Sequence, residues 1–119
     1  MDDYVSFDIA KKLKKKGFNK YSDRSYTKIG LFNDTETYKS TNEFYCYAPT
    51  IYQVLKWLRE KKEVDLVIEP IFCYDKKTHR EYGVRVFAPP LNKPVQCGYF
   101  NKWEKASIAG IKYVLDKLI

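Results

Sequence analysis

Apolar residues recur at helical spacing in three places. Val5, Ile9, Ala10 and Leu13 lie on one face of a segment from Ser6 to Lys16. Ser6 is placed to cap it, Asp8 sits in its first turn, and Gly17 stops it so that Phe18 can fold back onto the stripe. Ile51, Val54, Leu55 and Leu58 mark a second helix, opened by Ala48-Pro49-Thr50 and running to about Lys62, with Trp57 flanking the stripe. The last helix is predicted from Asn101, a capping residue followed three positions later by Glu104. Trp103, Ile111, Leu115 and Leu118 form its face, Ala106, Ile108 and Val114 widen it, and Ala109-Gly110 thin it for close packing.

Between the second and third helices the period changes from helical to extended. Leu66–Tyr74 is rich in branched and aromatic residues, with Pro70 directing it to a sheet edge or a bulge. Tyr82–Ala88 alternates Tyr82, Val84 and Val86 against Gly83, Arg85 and Phe87, and Pro89-Pro90 ends it. Gln96–Phe100 makes a short third strand. Residues 19 to 47 carry five of the eleven tyrosines and two extended pieces, Tyr26–Phe32 and Glu43–Tyr47, with Asn33-Asp34-Thr35 read as the turn between them.

The seven-residue connection Asp75–Glu81 is too short for a parallel crossover, which needs a dozen residues or more. The expected fold is therefore α+β: three helices packed on an antiparallel sheet of three to five strands, in one domain spanning residues 1–119. The expected core holds Ile9, Leu13, Val54, Leu55, Leu58, Ile68, Val84, Val86, Ile111 and Leu115.

Composition narrows the setting. At 119 residues and 45% hydrophobic the chain is neither disordered nor fibrous, and no apolar run approaches the ~18 residues that span a bilayer. The start, Met1-Asp2-Asp3, is acidic where a secretory signal is basic, which predicts a cytoplasmic location. Cys46, Cys73 and Cys97 are odd in number, dispersed and outside any C-x-x-C pair, so reduced thiols are expected. Cys73 and His79, six positions apart, lack the closely spaced ligand pairs of a structural zinc site. No metal or cofactor is expected, and folding is expected to need neither metal nor disulfide.

No catalytic motif is present. The five glycines are scattered, which excludes the phosphate-cradling loops, and neither G-x-S-x-G nor H-E-x-x-H occurs. The lone histidine, His79, sits in the cationic run Lys77-Thr78-His79-Arg80. The expectation is a non-enzymatic protein with a protein partner.

The net charge is +7, and between residues 1 and 20 six lysines stand against three aspartates. Lys11, Lys12, Lys14, Lys15 and Lys16 read first as a solvated convex helix face, without interleaved aromatics. With Lys102 and Lys105 they are also the candidate contacts for a polyanion. The nucleic-acid alternative rests on the closing order strand, strand, strand, helix, which is similar to a double-stranded-RNA-binding domain. There the last helix opens with a Lys-Lys-x-Ala-Lys run, and here the stretch is Lys102-Trp103-Glu104-Lys105-Ala106.

A further resemblance lies in the helices. Tyr4-Val5 with Ala10, Leu13, Gly17 and Phe18, then Ala48-Pro49-Thr50 with Leu55-Lys56-Trp57-Leu58-Arg59-Glu60-Lys61, and finally Glu104-Lys105-Ala106, Ala109, Leu115 and Leu118-Ile119 carry it. Together they resemble a set of small uncharacterised proteins from gut Bacteroidales and their phages. The chain departs from that pattern at Trp103-Glu104-Lys105, where the set more often places two acidic residues. The resemblance implies a phage or mobile-element setting and an accessory or interaction role, and it implies no catalytic residue.

Overall fold

The computed structural model describes residues 3–38, 41–72 and 80–119. Cys73, His79 and the connection from Asp75 to Thr78 lie outside the described residues. The chain is α+β with antiparallel strand pairing, and it divides into two compact units, Met1–Val54 and Leu55–Ile119.

In the first unit, α1 (Phe7–Lys15) starts where Ser6 accepts a hydrogen bond from Ile9 N–H. It ends at Gly17, whose φ of 95° is left-handed. Phe18 N–H then returns to Leu13 C=O at 2.9 Å, which tucks the Phe18 ring inward. Ile9, Ala10 and Leu13 are buried, as the apolar stripe requires.

Three short strands follow: β1 (Arg24–Thr27), β2 (Phe32–Asp34) and β3 (Phe44–Tyr47), ordered β2-β1-β3 and antiparallel throughout. A short helix, α2 (Thr35–Tyr38), lies between β2 and β3. The reversal between β1 and β2 falls at Lys28–Leu31 and not at Asn33-Asp34-Thr35. Gly30 takes φ 85° there, and Thr27 Oγ1 accepts the Leu31 N–H at 3.1 Å. Asn33 and Asp34 are strand residues, with Asp34 paired to Arg24 at 3.0 Å.

Behind this sheet a buried hydroxyl chain replaces an apolar contact: Ser25 Oγ meets Thr35 Oγ1, which donates to Ser22 C=O. Residues 3–5 are fastened to 49–51 by Val5 N–H to Pro49 C=O and Ile51 N–H to Asp3 C=O.

Helix α3 (Ile51–Lys62) begins in the first unit and ends in the second. Thr50 and Gln53 form a reciprocal capping box, Gln53 N–H to Thr50 Oγ1 at 3.1 Å and Thr50 N–H to Gln53 Oε1 at 2.8 Å. The helix ends at Glu63, a left-handed residue, after which Val64 N–H returns to Leu58 C=O.

The second unit holds β4 (Asp65–Phe72), β5 (Arg80–Phe87) and β6 (Val95–Phe100), again antiparallel and ordered β4-β5-β6. Pro70 thus sits on an edge strand, opposite Tyr82 of β5, in the position where a sheet tolerates proline. Leu66 faces Val86 and Ile68 faces Val84 across the register, and both valines are fully buried.

Helix α4 (Trp103–Tyr113) lies across this apolar side and continues as a π-helical turn at Val114–Leu118. Gly110 makes the close approach possible, because a Cβ there would come within 2.9 Å of Val84 Cγ2. The helix starts one residue later than the Asn101–Glu104 spacing predicts. β6 runs to Phe100, and the capping position falls to Lys102, which makes no side-chain capping bond.

Beyond the displaced reversal, the later start of α4 and the short helix α2, which the sequence reading did not contain, two further features differ from it. The six strands form two three-stranded sheets and not one sheet, because β3 finds its partner in β1, earlier in the chain, while β4 pairs onward with β5. Among the expected core residues, Leu55 and Ile68 are half-buried, and the other eight are buried.

Candidate functional site

The lysine run and the tyrosine-rich segment meet in the first unit. Lys11 reaches Asp8 at 3.7 Å and lies 4.5 Å above the Phe7 ring. Lys14 projects from the C-terminal half of α1, donates from Nζ to Tyr45 C=O at 2.6 Å, and sits 4.0 Å over the Tyr45 ring. The face therefore does carry aromatics between its cations, contrary to the sequence expectation. They come from Tyr45, 31 residues away, and from Phe7 at the start of the same helix.

Next to Lys14 is a groove of about 340 Å³, walled by Lys14, Phe18 and Asn19 on one side and by Phe44, Tyr45 and Tyr47 of β3 on the other. Its rings brace one another. Phe44 meets Tyr47 edge-on at 5.2 Å, Tyr47 contacts Tyr21 at 5.6 Å, and Tyr45 contacts Phe7 at 6.1 Å. Tyr21 is itself held by its hydroxyl, which donates to Glu36 at 2.8 Å; that bond raises the Tyr21 phenol above its ordinary value.

Cys46 belongs to the groove lining too. Burial pushes its thiol up to about 11, although Lys14 and Lys11 pull the other way. Burial thus favours the protonated thiol, a small apolar group at neutral pH.

The backbone of β3 gives the groove a second property. Ala48 N–H donates to Arg24 C=O, and Ser25 lies opposite Tyr47. By the alternation of an antiparallel ladder, Tyr47 N–H and C=O then point away from β1. The register with β1 shifts at Tyr45, which is skipped between Cys46 and Phe44, and its C=O is taken by Lys14 Nζ and not by β1. Among the described residues β3 is an end strand of its sheet, so this is a free edge, with Lys14 resting on it.

The remaining candidate residues fall elsewhere. Lys102 and Lys105 are exposed in the second unit at the start of α4. On the strand face away from α4, Arg85 is paired with Glu69 and stacks near Phe87, and Ile71 and Tyr99 close in above Gly83. Among the described residues no three His, Cys, Asp or Glu side chains come together as a metal site, and no helix is long and apolar enough to cross a membrane. Sequence spacing could not have paired Lys14 with Tyr45. The only local signal was the crowding of tyrosines just after a run of lysines.

No protein-family model, curated protein or solved structure matches the chain.

Proposed function

We propose that this chain is a non-enzymatic interaction protein of phage or mobile-element origin, which holds a protein partner in the groove between α1 and β3. The observation that carries the reading is the groove itself. Braced aromatic rings offer rigid, large contact area at small entropic cost, and the free strand edge beside them offers backbone hydrogen bonds. The three helical motifs shared with the Bacteroidales and phage set support the setting, and the +7 charge favours an acidic counterpart.

The test is site-specific photocrosslinking from a benzophenone side chain at Phe44, in extracts of a phage-infected host. A discrete crosslinked protein is expected, absent when the benzophenone replaces Lys56 on the exposed side of α3. Equal capture from both positions would refute the reading.

A nucleic-acid module is the second reading, favoured by one observation. Within the second unit, the end of α3, three antiparallel strands and α4 follow the order of a double-stranded-RNA-binding domain, with Lys102 and Lys105 at the start of α4. Shared order of elements is a weak guide to task, and Glu104 interrupts the cationic run. Titration against duplex RNA, duplex DNA and single strands at two salt concentrations separates the readings. Submicromolar binding that survives ~200 mM salt, and is lost in Lys102→Ala/Lys105→Ala, would install the nucleic-acid reading in place of the first.

A further inference from the structure

We propose that the occupant of this groove is an extended acidic segment of a partner protein, added as a fourth strand along the free edge of β3. The inference rests on the function proposed above and names the chemistry of the partner.

Three observations converge on it. Tyr47 turns its N–H and C=O away from β1, and the Tyr45 carbonyl, at the register shift, is likewise left unused by β1 and open to an added strand. Tyr45 and Tyr47 reach different neighbours, Phe7 and Tyr21, so alternate side chains of an incoming strand each meet a ring. Lys14 Nζ occupies the Tyr45 carbonyl, the acceptor that the incoming strand needs.

The last point selects the charge of the partner. A lysine on an edge carbonyl keeps the edge from pairing indiscriminately. It leaves that carbonyl readily only for a better acceptor, and a carboxylate on the incoming strand is one, forming a stronger, charge-assisted bond. Lys15 and Lys16 follow Lys14 at the same end of α1 and add their charge to the preference, while Lys11 is paired with Asp8. A neutral strand has nothing to draw Lys14 away, and a basic one is repelled.

The probe is a nine-residue peptide alternating glutamate and valine, titrated against the full chain by NMR. It is compared with its lysine-for-glutamate counterpart, a version interrupted by proline at alternate positions, and a twelve-nucleotide oligothymidine. Expected are binding of the acidic peptide at least about tenfold tighter than the lysine and proline versions, and slower amide exchange at Tyr47 when it is bound. Lys14→Glu should weaken that binding about tenfold or more while Lys105→Ala leaves it unchanged. Should Lys14→Glu fold poorly, Lys14→Gln serves, with a several-fold loss.

Equal affinity for the acidic and lysine peptides, unchanged exchange at Tyr47, or tighter binding of oligothymidine would each overturn the inference. Specific crosslinking from position 44 without acidic-peptide binding overturns it and leaves the broader reading standing. Failure of both removes the two together.

Discussion

Replacing Gly110 with alanine sets helix propensity against packing, and the structure decides the sign. In an open helix interior the exchange would stabilise by about 1 kcal/mol, because glycine loses more backbone entropy on folding. Here the new methyl carbon would lie 2.9 Å from Val84 Cγ2 and 3.2 Å from Leu66 Cγ, with Leu66 Cδ2 closer still. Ordinary carbon contacts need ~3.5 Å or more, so the helix and strands must part by roughly 0.6 Å or the side chains must move. Leu66 is half-buried and has room to turn; Val84 is fully buried and β-branched, and has none. Overpacking of this kind costs about 1–3 kcal/mol.

The cost offsets or exceeds the propensity gain, and Gly110→Ala should lose up to about 2 kcal/mol, which for a chain of this size lowers Tm by up to roughly 10 °C. Urea unfolding followed by circular dichroism measures it. The double variant with Leu66→Ala should be less unstable than the sum of the two single changes, by about 1 kcal/mol, because one collision disappears. A Gly110→Ala protein more stable than the parent would refute the close approach of α4 to β4 and β5.

Leu58→Ala and Leu115→Ala should each cost roughly 2–5 kcal/mol, since both leucines are buried; near-zero losses at both in denaturant titration would overturn the assignment of the helix faces. Thr35→Val should cost about 1–3 kcal/mol despite its matched shape, because Ser25 Oγ and Ser22 C=O lose their buried partner; a neutral result in the same titration would remove the hydroxyl chain from the account of stability. The Cys46 thiol, raised to about 11 by burial, should react slowly with iodoacetamide at pH 8 and faster as pH approaches 11. Its contribution to stability is complete below about pH 9, where the unfolded thiol is also protonated, and is lost between there and 11, so a pH series of Tm should decline over that window. Chelator and reductant should leave Tm unchanged, and a fall of many degrees with chelator would revive a zinc site involving Cys73 and His79.

Local chemistry determined α1 and α3, and missed α2, which starts at Thr35 where a turn was expected. Ser6 as cap, Gly17 as stop, Pro49-Thr50 before α3 and the spacing of Ile9, Leu13, Val54 and Leu58 act within a few residues of themselves, and the helices stand where those signals put them. The same holds for β4, β5 and β6, whose alternation and short connections called for an antiparallel sheet; Pro70 left β4 an edge or a bulge, and the structure makes it an edge. The local signal missed the start of α4 by one residue: β6 ends at Phe100, and the capping position falls to Lys102 and not to Asn101. Tertiary structure decided the rest. Whether Tyr26 pairs with Cys46, and so whether there is one sheet or two, depends on a contact across 20 residues that no periodicity encodes. The groove depends on it as well. Lys14 reads in sequence as one more solvated cation, and only the approach of β3 to α1 sets it on the Tyr45 carbonyl and ring. A lysine has a long, rotatable stem, and its partner is chosen by whatever the fold brings within its reach.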